Sequence, residues 1–283
     1  MVLLKNKLKT TALSMALALE PRSRVSQIIL RNLKLGVRTS DISNNPGSKA
    51  TFCISIDFDV TRPHRRFANK QGTLLALKLF EKYKIKATWA ICGKTAEEDP
   101  ESYDRIIGSS IAHEIAIHTY SHLDVSTATE LELERDIEKC IEVLHVDNQP
   151  VTFIFPWNRV AHLDVLQRMG FKTFRGKERQ IGLPYMENGL WNIPPVHYLG
   201  SKAYGTQNYI KKLIDLCISA RCNFHLWFHP WDLVKPNPLD FSRETFEPVL
   251  KYLAEKRDKG VLANLTMMEL AAARESSITQ KAG

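Results

Sequence analysis

The stretch Phe52-Cys53-Ile54-Ser55-Ile56-Asp57-Phe58-Asp59 alternates apolar residues with small or acidic ones. Successive side chains of a strand point to opposite faces, so Phe52, Ile54, Ile56 and Phe58 share one face and Cys53, Ser55, Asp57 and Asp59 the other. The second face ends in two carboxylates at the strand's C-terminal end, which is where parallel α/β folds build their sites. Two neighbouring carboxylates repel each other when both are ionised, and a cation beside them relieves the repulsion. The competing reading is an exposed strand end with salt-bridged aspartates.

Working outward, strand patterns at Thr51–Asp59, Lys86–Cys92, Ile111–His118, Val151–Phe155, Lys172–Phe174, Asn223–Phe228 and Val261–Leu262 alternate with helical patterns. The helices are read at Gly72–Tyr83, Thr127–His145, His162–Met169, Asn208–Ser219, Arg243–Lys256 and Met267–Arg274, with Thr127 and Glu130 as a capping box. A β-then-α order predicts a parallel sheet covered by helices, either as a closed or nearly closed barrel or as an open doubly wound sheet. No G-x-G-x-x-G turn or P-loop is present, which weakens a nucleotide-binding version.

Composition sets the frame. The 283 residues are 44% hydrophobic and 25% charged, enough for one large α/β domain plus an extension. The five cysteines are odd in number and lack a C-x-x-C pair, which argues against a disulfide framework or zinc ribbon and for a reducing, cytoplasmic setting. The net charge of +8 is uneven: residues 1–49 hold nine Lys or Arg against Glu20 and Asp41, while the remainder holds 30 against 29. A nearly neutral body gives no reason to expect a nucleic-acid partner.

The basic segment therefore reads as an extension (1–49) ahead of a catalytic domain (50–283). Val25, Ile28, Ile29 and Leu33 fall at helical spacing among basic residues. Such a helix either packs on the body or on a partner subunit, or touches an anionic inner membrane face through residues 1–40. Ser43–Ser48 reads as a linker. No run is apolar enough to span a bilayer, and Thr11–Leu19 followed by Glu20-Pro21-Arg22 makes a poor signal peptide.

Two histidine patterns complete the candidate chemistry. His118-Thr119-Tyr120-Ser121-His122 follows a strand and sets two imidazoles four residues apart, within reach of one ion on one turn or loop. One carboxylate with two imidazoles and open positions suits a catalytic divalent metal, zinc first. In Phe224-His225-Leu226-Trp227-Phe228-His229-Pro230-Trp231-Asp232, His225 and His229 share a strand face, and His229, nearer the C-terminal end, is the candidate general acid. A core histidine in an aromatic cluster is the alternative.

Taken in order, these segments resemble the polysaccharide deacetylase (NodB-homology, carbohydrate esterase family 4-like) family. Asp57-Phe58-Asp59 is similar to its first motif in a D-x-D form, and His113–His122 to its second. Phe153-Ile154-Phe155-Pro156-Trp157-Asn158-Arg159 stands where the third belongs, and Phe228-His229 at the place of the fifth-motif histidine. The resemblance spans roughly Thr51 to Ala273. It implies a distorted (β/α) barrel of about seven parallel strands behind an N-terminal helical extension. It also implies a hydrolase of non-peptide carbon–nitrogen bonds, which removes an N-acyl group, in the first instance N-acetyl, from an amino sugar or glycan using a metal-activated water. By the same resemblance Asp57 is the general base, Asp59, His118 and His122 the metal ligands, and His229 the acid. Trp157 lends a backbone N–H to the oxyanion and Ser121 braces the histidine loop.

Three departures stand out. The arginine expected in the third motif is missing, with Arg159 or Arg175 as replacements. The fourth-motif aspartate has no clear counterpart, and Asp59 is offset by one residue. Alternatives are therefore a hydrolase of another amide, such as a cyclic ureide or a formamide, and a non-catalytic binding homologue.

Overall fold

The structure, a computed structural model, describes residues 2–19, 23–38, 49–59, 63–146, 150–200, 206–234 and 242–282. The linker expected at Ser43–Ser48 lies outside these residues. The strands are β1 (Gly36–Val37), β2 (Ala50–Phe58), β3 (Thr88–Ile91), β4 (Glu114–Ile117), β5 (Thr152–Ile154), β6 (Thr173–Arg175), β7 (Gln180–Ile181), β8 (Tyr185–Glu187), β9 (Leu190–Asn192), β10 (His197–Tyr198), β11 (Asn223–Phe228) and β12 (Leu262–Asn264). The helices are α1 (Val2–Ala18), α2 (Arg24–Asn32), α3 (Arg66–Tyr83), α4 (Gly93–Glu98), α5 (Pro100–Ile107), α6 (Glu130–Leu144), α7 (Leu163–Arg168), α8 (Gln207–Ser219), α9 (Glu247–Asp258) and α10 (Met267–Ala282).

Parallel pairing runs β10-β11-β2-β3-β4-β5-β6-β9, with β8 antiparallel to β9 and β12 beside the start of β2. The sheet curls, and one run of chain spans its two ends. β9 pairs with β6, β10 pairs with β11, and only Ile193–Val196 separates them. Pro194 and Pro195 lie in that interval and carry no N–H to continue a ladder, so the chain leaves one strand there and joins the other. This is the distorted barrel that the alternating pattern allowed; the open doubly wound sheet is not formed.

The alternation in β2 recurs around the barrel and explains its layering. Phe52, Ile54, Ile56, Phe58, Trp89, Ile91, Phe153, Phe174, Phe224 and Leu226 face outward into one hydrophobic cluster shared with Leu79 and Phe80 of α3 and Leu133 and Ile137 of α6. Cys53, Ala90, Ala116 and Ile154 face inward and form a second, smaller cluster with Met267, Leu270 and Ala271 of α10. α10 thereby plugs the N-terminal end of the barrel. Its first turn donates the Met267 N–H to Thr88 Oγ1 (3.0 Å) and the Met268 N–H to Glu114 Oε2 (3.1 Å). Glu114 is buried, and this pushes its carboxyl above the usual range despite hydrogen bonds from Thr152 and Thr88.

Several local readings are corrected. The capping box at the start of α6 uses Thr129 and Glu132, not Thr127 and Glu130, because the chain first turns around Asp124, whose carbonyl accepts from the Thr127 N–H. α1, α4, α5 and β7–β10 escaped the sequence reading: the strands are two or three residues long, too short for a periodic signal. The basic extension packs on the body. α1 lies on α8, β1 pairs with β7, and Leu13, Leu30, Leu33 and Leu35 are buried, while Ile28 stays exposed. No helix among the described residues is long and apolar enough to cross a membrane.

One packing contact ties the shell to the barrel mouth. Gly72 of α3 lies so close to Pro230 that a Cβ would overlap its carbonyl. Pro230 follows His229 directly, so this glycine sets how near α3 approaches the segment carrying that histidine. Gly72→Ala is expected to destabilise the fold by about 1–3 kcal/mol, measured by urea unfolding; an unchanged midpoint would show that the segment yields freely.

Candidate active site

The barrel mouth holds a cavity of about 300 Å³ lined by Asp57, Asp59, Arg65, His118, His122, Trp157, Asn158, Tyr198, Trp227, His229 and Trp231. It lies at the C-terminal ends of the strands, as the polar face of β2 anticipated. Asp57 ends that strand's inward row and Asp59 follows it; His118 follows β4, Trp157 and Asn158 follow β5, and His229 follows β11.

Asp59, His118 and His122 converge: one ligand atom from each lies within 4.8 Å of the other two. Asp59 Oδ2 is 2.8 Å from His122 Nε2 and 3.4 Å from His118 Nε2. Loop strain brings the rings together, because Thr119 and His122 both adopt positive φ (59° and 58°), which reverses the chain within one turn. Asp136 of α6 holds that reversal. It accepts the Ser121 hydroxyl (2.5 Å) and the Tyr120 N–H (2.6 Å), so Ser121 braces the loop through a partner that sequence reasoning did not name.

The protonation pattern fits a cation. His118 Nδ1 sits 2.7 Å from the Ile154 carbonyl, so it carries the proton and leaves the Nε2 lone pair facing Asp59. Among the described residues, His118 Nε2 and Asp59 Oδ1 are buried with no hydrogen-bond partner. The other oxygen, Oδ2, faces the His118 lone pair at 3.4 Å, and a carboxylate oxygen opposite an imidazole lone pair is unfavourable unless something positive lies between them. Burial pushes the Asp59 carboxyl up, but the two histidines and His229 outweigh it and hold the group well below the usual carboxylate range.

Asp57 is held differently. Arg175, at the end of β6, takes both its oxygens at 2.7 Å, with both side chains buried. The same guanidinium reaches Ser55 Oγ (3.1 Å) and Asn158 Oδ1 (3.0 Å) and lies 4.3 Å from the Trp227 ring centroid. Burial alone would raise the Asp57 carboxyl; the Arg175 charge and hydrogen bonds reverse this and keep it below its ordinary value. Of the two arginines proposed to fill the third-motif gap, Arg175 meets the aspartate. Arg159 does not: it is exposed, pairs with Asp124 and lies outside the cavity lining.

The fifth-motif histidine also has a partner that the motif order concealed. His229 Nδ1 lies 3.3 Å from Asp232 Oδ2, and its backbone N–H donates to the same oxygen (3.0 Å). Tyr198 donates its hydroxyl to Asp232 Oδ1 (3.2 Å). Burial depresses the imidazole pKa, but Asp232, Asp59 and Asp57 outweigh it and raise it. An aspartate of the kind sought in a fourth motif thus stands three residues downstream of the histidine, where a 3₁₀ turn at Pro230–Val234 folds back. His225 sits deeper, 2.8 Å from Ser55 Oγ and 3.2 Å from the Ile193 carbonyl. Burial, reinforced by Arg175, drives its pKa down to about 3, so it is a neutral strut.

Trp157 occupies the turn after β5 in left-handed backbone (φ 58°), 57% exposed at the rim, its ring edge-on to His122 at 4.8 Å.

Residues 47–173 match the family described as polysaccharide deacetylase. Over these residues, somewhat under half of its length, the chain is similar to that family. A peptidoglycan deacetylase of Helicobacter pylori is 30% identical over 110 residues, 38% of this chain and 37% of that protein, so the match spans well under half the length of that relative. A crystal structure of a Mycobacterium smegmatis protein assigned to the polysaccharide deacetylases superposes on this chain with a TM-score of 0.67 at 18% identity, covering 84% of this chain and 94% of that one. The allantoinase Puue superposes with a TM-score of 0.61 at 13% identity, covering 81% and 91%. The fold is thus the NodB-type distorted barrel.

Replacing Arg175 by Met leaves Asp57 buried without its cation, and breaking such a pair costs about 3–5 kcal/mol. Adding Asp57→Asn to that variant is expected to recover most of the loss, because no buried charge remains. Thermal or denaturant unfolding of the two variants checks this; a double variant as unstable as the single one would show that Arg175 acts by packing alone.

Proposed function

We propose that the chain is a divalent-metal-dependent N-deacetylase of an amino sugar or glycan-type substrate, with zinc as the ion. The observation that carries this reading is one cavity uniting a three-ligand cluster, an arginine-held carboxylate and an aspartate-backed histidine. Asp59, His118 and His122 would hold the ion. Bound there, it supplies Lewis acidity, lowering the pKa of water and polarising a carbonyl.

The chain's own residues account for the remaining chemistry. Arg175 keeps Asp57 ionised, and the carboxylate retains lone pairs beyond the two facing the guanidinium, so it takes the proton of the attacking water. Asp232 orients His229 through Nδ1, which leaves Nε2 to protonate the departing nitrogen. An amide requires that proton, because an amine anion leaves very poorly. The backbone N–H of Trp157, in the turn beside His122, is the donor for the developing oxyanion, and the exposed Trp157 ring offers a face to a sugar.

Metal-stripped protein reloaded with zinc is expected to release acetate from N-acetylglucosamine oligomers. His118→Ala should lose bound metal and turnover together. Asp57→Asn should keep the metal and lose turnover by about 10²–10⁴-fold. Cleavage of allantoin but not of N-acetyl sugars would move the assignment to cyclic amides. Full metal occupancy with no hydrolysis of either would leave a non-catalytic homologue.

A pH profile tests the acid. Asp232 raises the His229 pKa, and the acid must be protonated to act, so activity falls as pH rises through that value. Asp232→Asn removes the stabilising charge, and the alkaline limb of kcat/KM should move to lower pH. An alkaline limb that stays in place would separate Asp232 from the acid's titration.

A further inference from the structure

A second arginine lines the cavity, and the chemistry above does not use it. Arg65 is the last residue before α3 and is half-buried at the cavity wall. Its guanidinium carbon lies 4.8 Å from the centroid of the Trp231 ring. Trp231 is only 5% exposed and stacks on His229, with centroids 4.2 Å apart and planes 15° apart. Arg65, Trp231 and His229 therefore form a pile that fixes a cation relative to the candidate acid. Stacking on an aromatic face attracts the guanidinium but uses none of its five N–H donors.

Among the described residues, Arg65 has no carboxylate within ion-pair distance, whereas the adjacent Arg66 pairs with Glu98 at 2.8 Å. The other cavity charges are already matched. Asp57 is neutralised by Arg175, and Asp59 faces the histidine cluster. A divalent ion there would exceed the Asp59 charge, and Arg65 adds to the excess, so the loaded cavity is net positive. A positive cleft with apolar walls concentrates anions.

We propose that Arg65 is a specificity residue that selects N-acylated amino sugars bearing an oxyanion, a phosphate or a carboxylate. Resting on the deacetylase reading, this names its substrate class: the amide meets the ligand cluster while the substrate's oxyanion takes the guanidinium fork. Planar two-point pairing with an oxyanion is what a guanidinium offers and an ammonium does not. A neutral N-acetyl sugar leaves those donors to water.

The test compares zinc-loaded full-length protein on N-acetylglucosamine, N-acetylglucosamine 1-phosphate and N-acetylmuramic acid. At low salt one anionic substrate is expected to exceed the neutral one in kcat/KM by about tenfold or more, the scale of a charge-assisted hydrogen bond. Whichever keeps the advantage identifies phosphate or carboxylate as the recognised group. Arg65→Gln should bring the anionic-to-neutral ratio to about one, and Arg65→Lys should restore part of it. A ratio unchanged by Arg65→Gln overturns the proposal. A readout free of turnover separates this from failure of the deacetylase reading: calorimetric binding of glucose 1-phosphate against glucose. If no substrate releases acetate, selective binding of glucose 1-phosphate that weakens about tenfold in Arg65→Gln still supports the anion contact. Equal binding by wild type and variant overturns it, since an anion held by the metal alone would not sense Arg65.

Discussion

The ion pair between Asp57 and Arg175 is the constraint around which the interior is organised. Both side chains are buried, and neither charge is tolerable there alone. The pair closes across the barrel, from β2 to β6, and its remaining donors reach Ser55 and Asn158. Through Ser55 it also reaches His225, and through His225 the Ile193 carbonyl, in the run that spans the ends of the sheet. One guanidinium thus links β2, the turn after β5, β6 and, indirectly, the closing segment. The carboxylate it neutralises is the one proposed as the base.

The pair exists because the barrel inverts the usual sidedness of a sheet. Large apolar residues point outward to the helices, and small, polar and charged residues point inward. An interior of Ser, Thr, Asp, Arg and His is stable only if its members satisfy one another, and they do so in tiers. A Thr–Glu114 tier at the N-terminal end is capped by the first turn of α10, with an Ala–Cys–Ile layer next, then the Asp57–Arg175 tier, then the open mouth. The tier that faces solvent is also the one with unsatisfied ligand atoms. Unpartnered polar atoms also occur elsewhere among the described residues, as at Asn69 and His197; at the mouth they belong to side chains that converge as a ligand set.

Each chemical group at the mouth is held by a second residue from a different element. Ile154 fixes the tautomer of His118, Asp136 holds the strained loop between the two histidines, and Asp232 with Tyr198 orients His229. Precise placement of a few side chains follows from these supports rather than from the motif residues alone. Two of them, Asp136 and Asp232, lie close in sequence to the motifs, yet nothing in their spacing distinguishes them from ordinary surface acids.

What the sequence by itself determined follows from local rules. Period-two alternation in Phe52–Asp59 dictated which residues of β2 face inward, and the β-then-α order dictated a parallel, helix-covered sheet. The histidine spacing, with a strand before it, brought His118 and His122 within reach of Asp59. Only the tertiary structure decided which long-range partners complete those groups. Arg175 and Arg159 were equal candidates in sequence; β6 carries one inward to Asp57, while the other turns out to Asp124. The extension's apolar residues offered a packed and a membrane-facing reading; α1 packs on α8 and α2 on α1, with Leu13 and Leu30 buried. The physical reason is the same in each case. Side-chain direction along a strand is fixed within two residues, whereas the identity of a buried charge's partner depends on curvature and closure of the whole sheet, which no local pattern encodes.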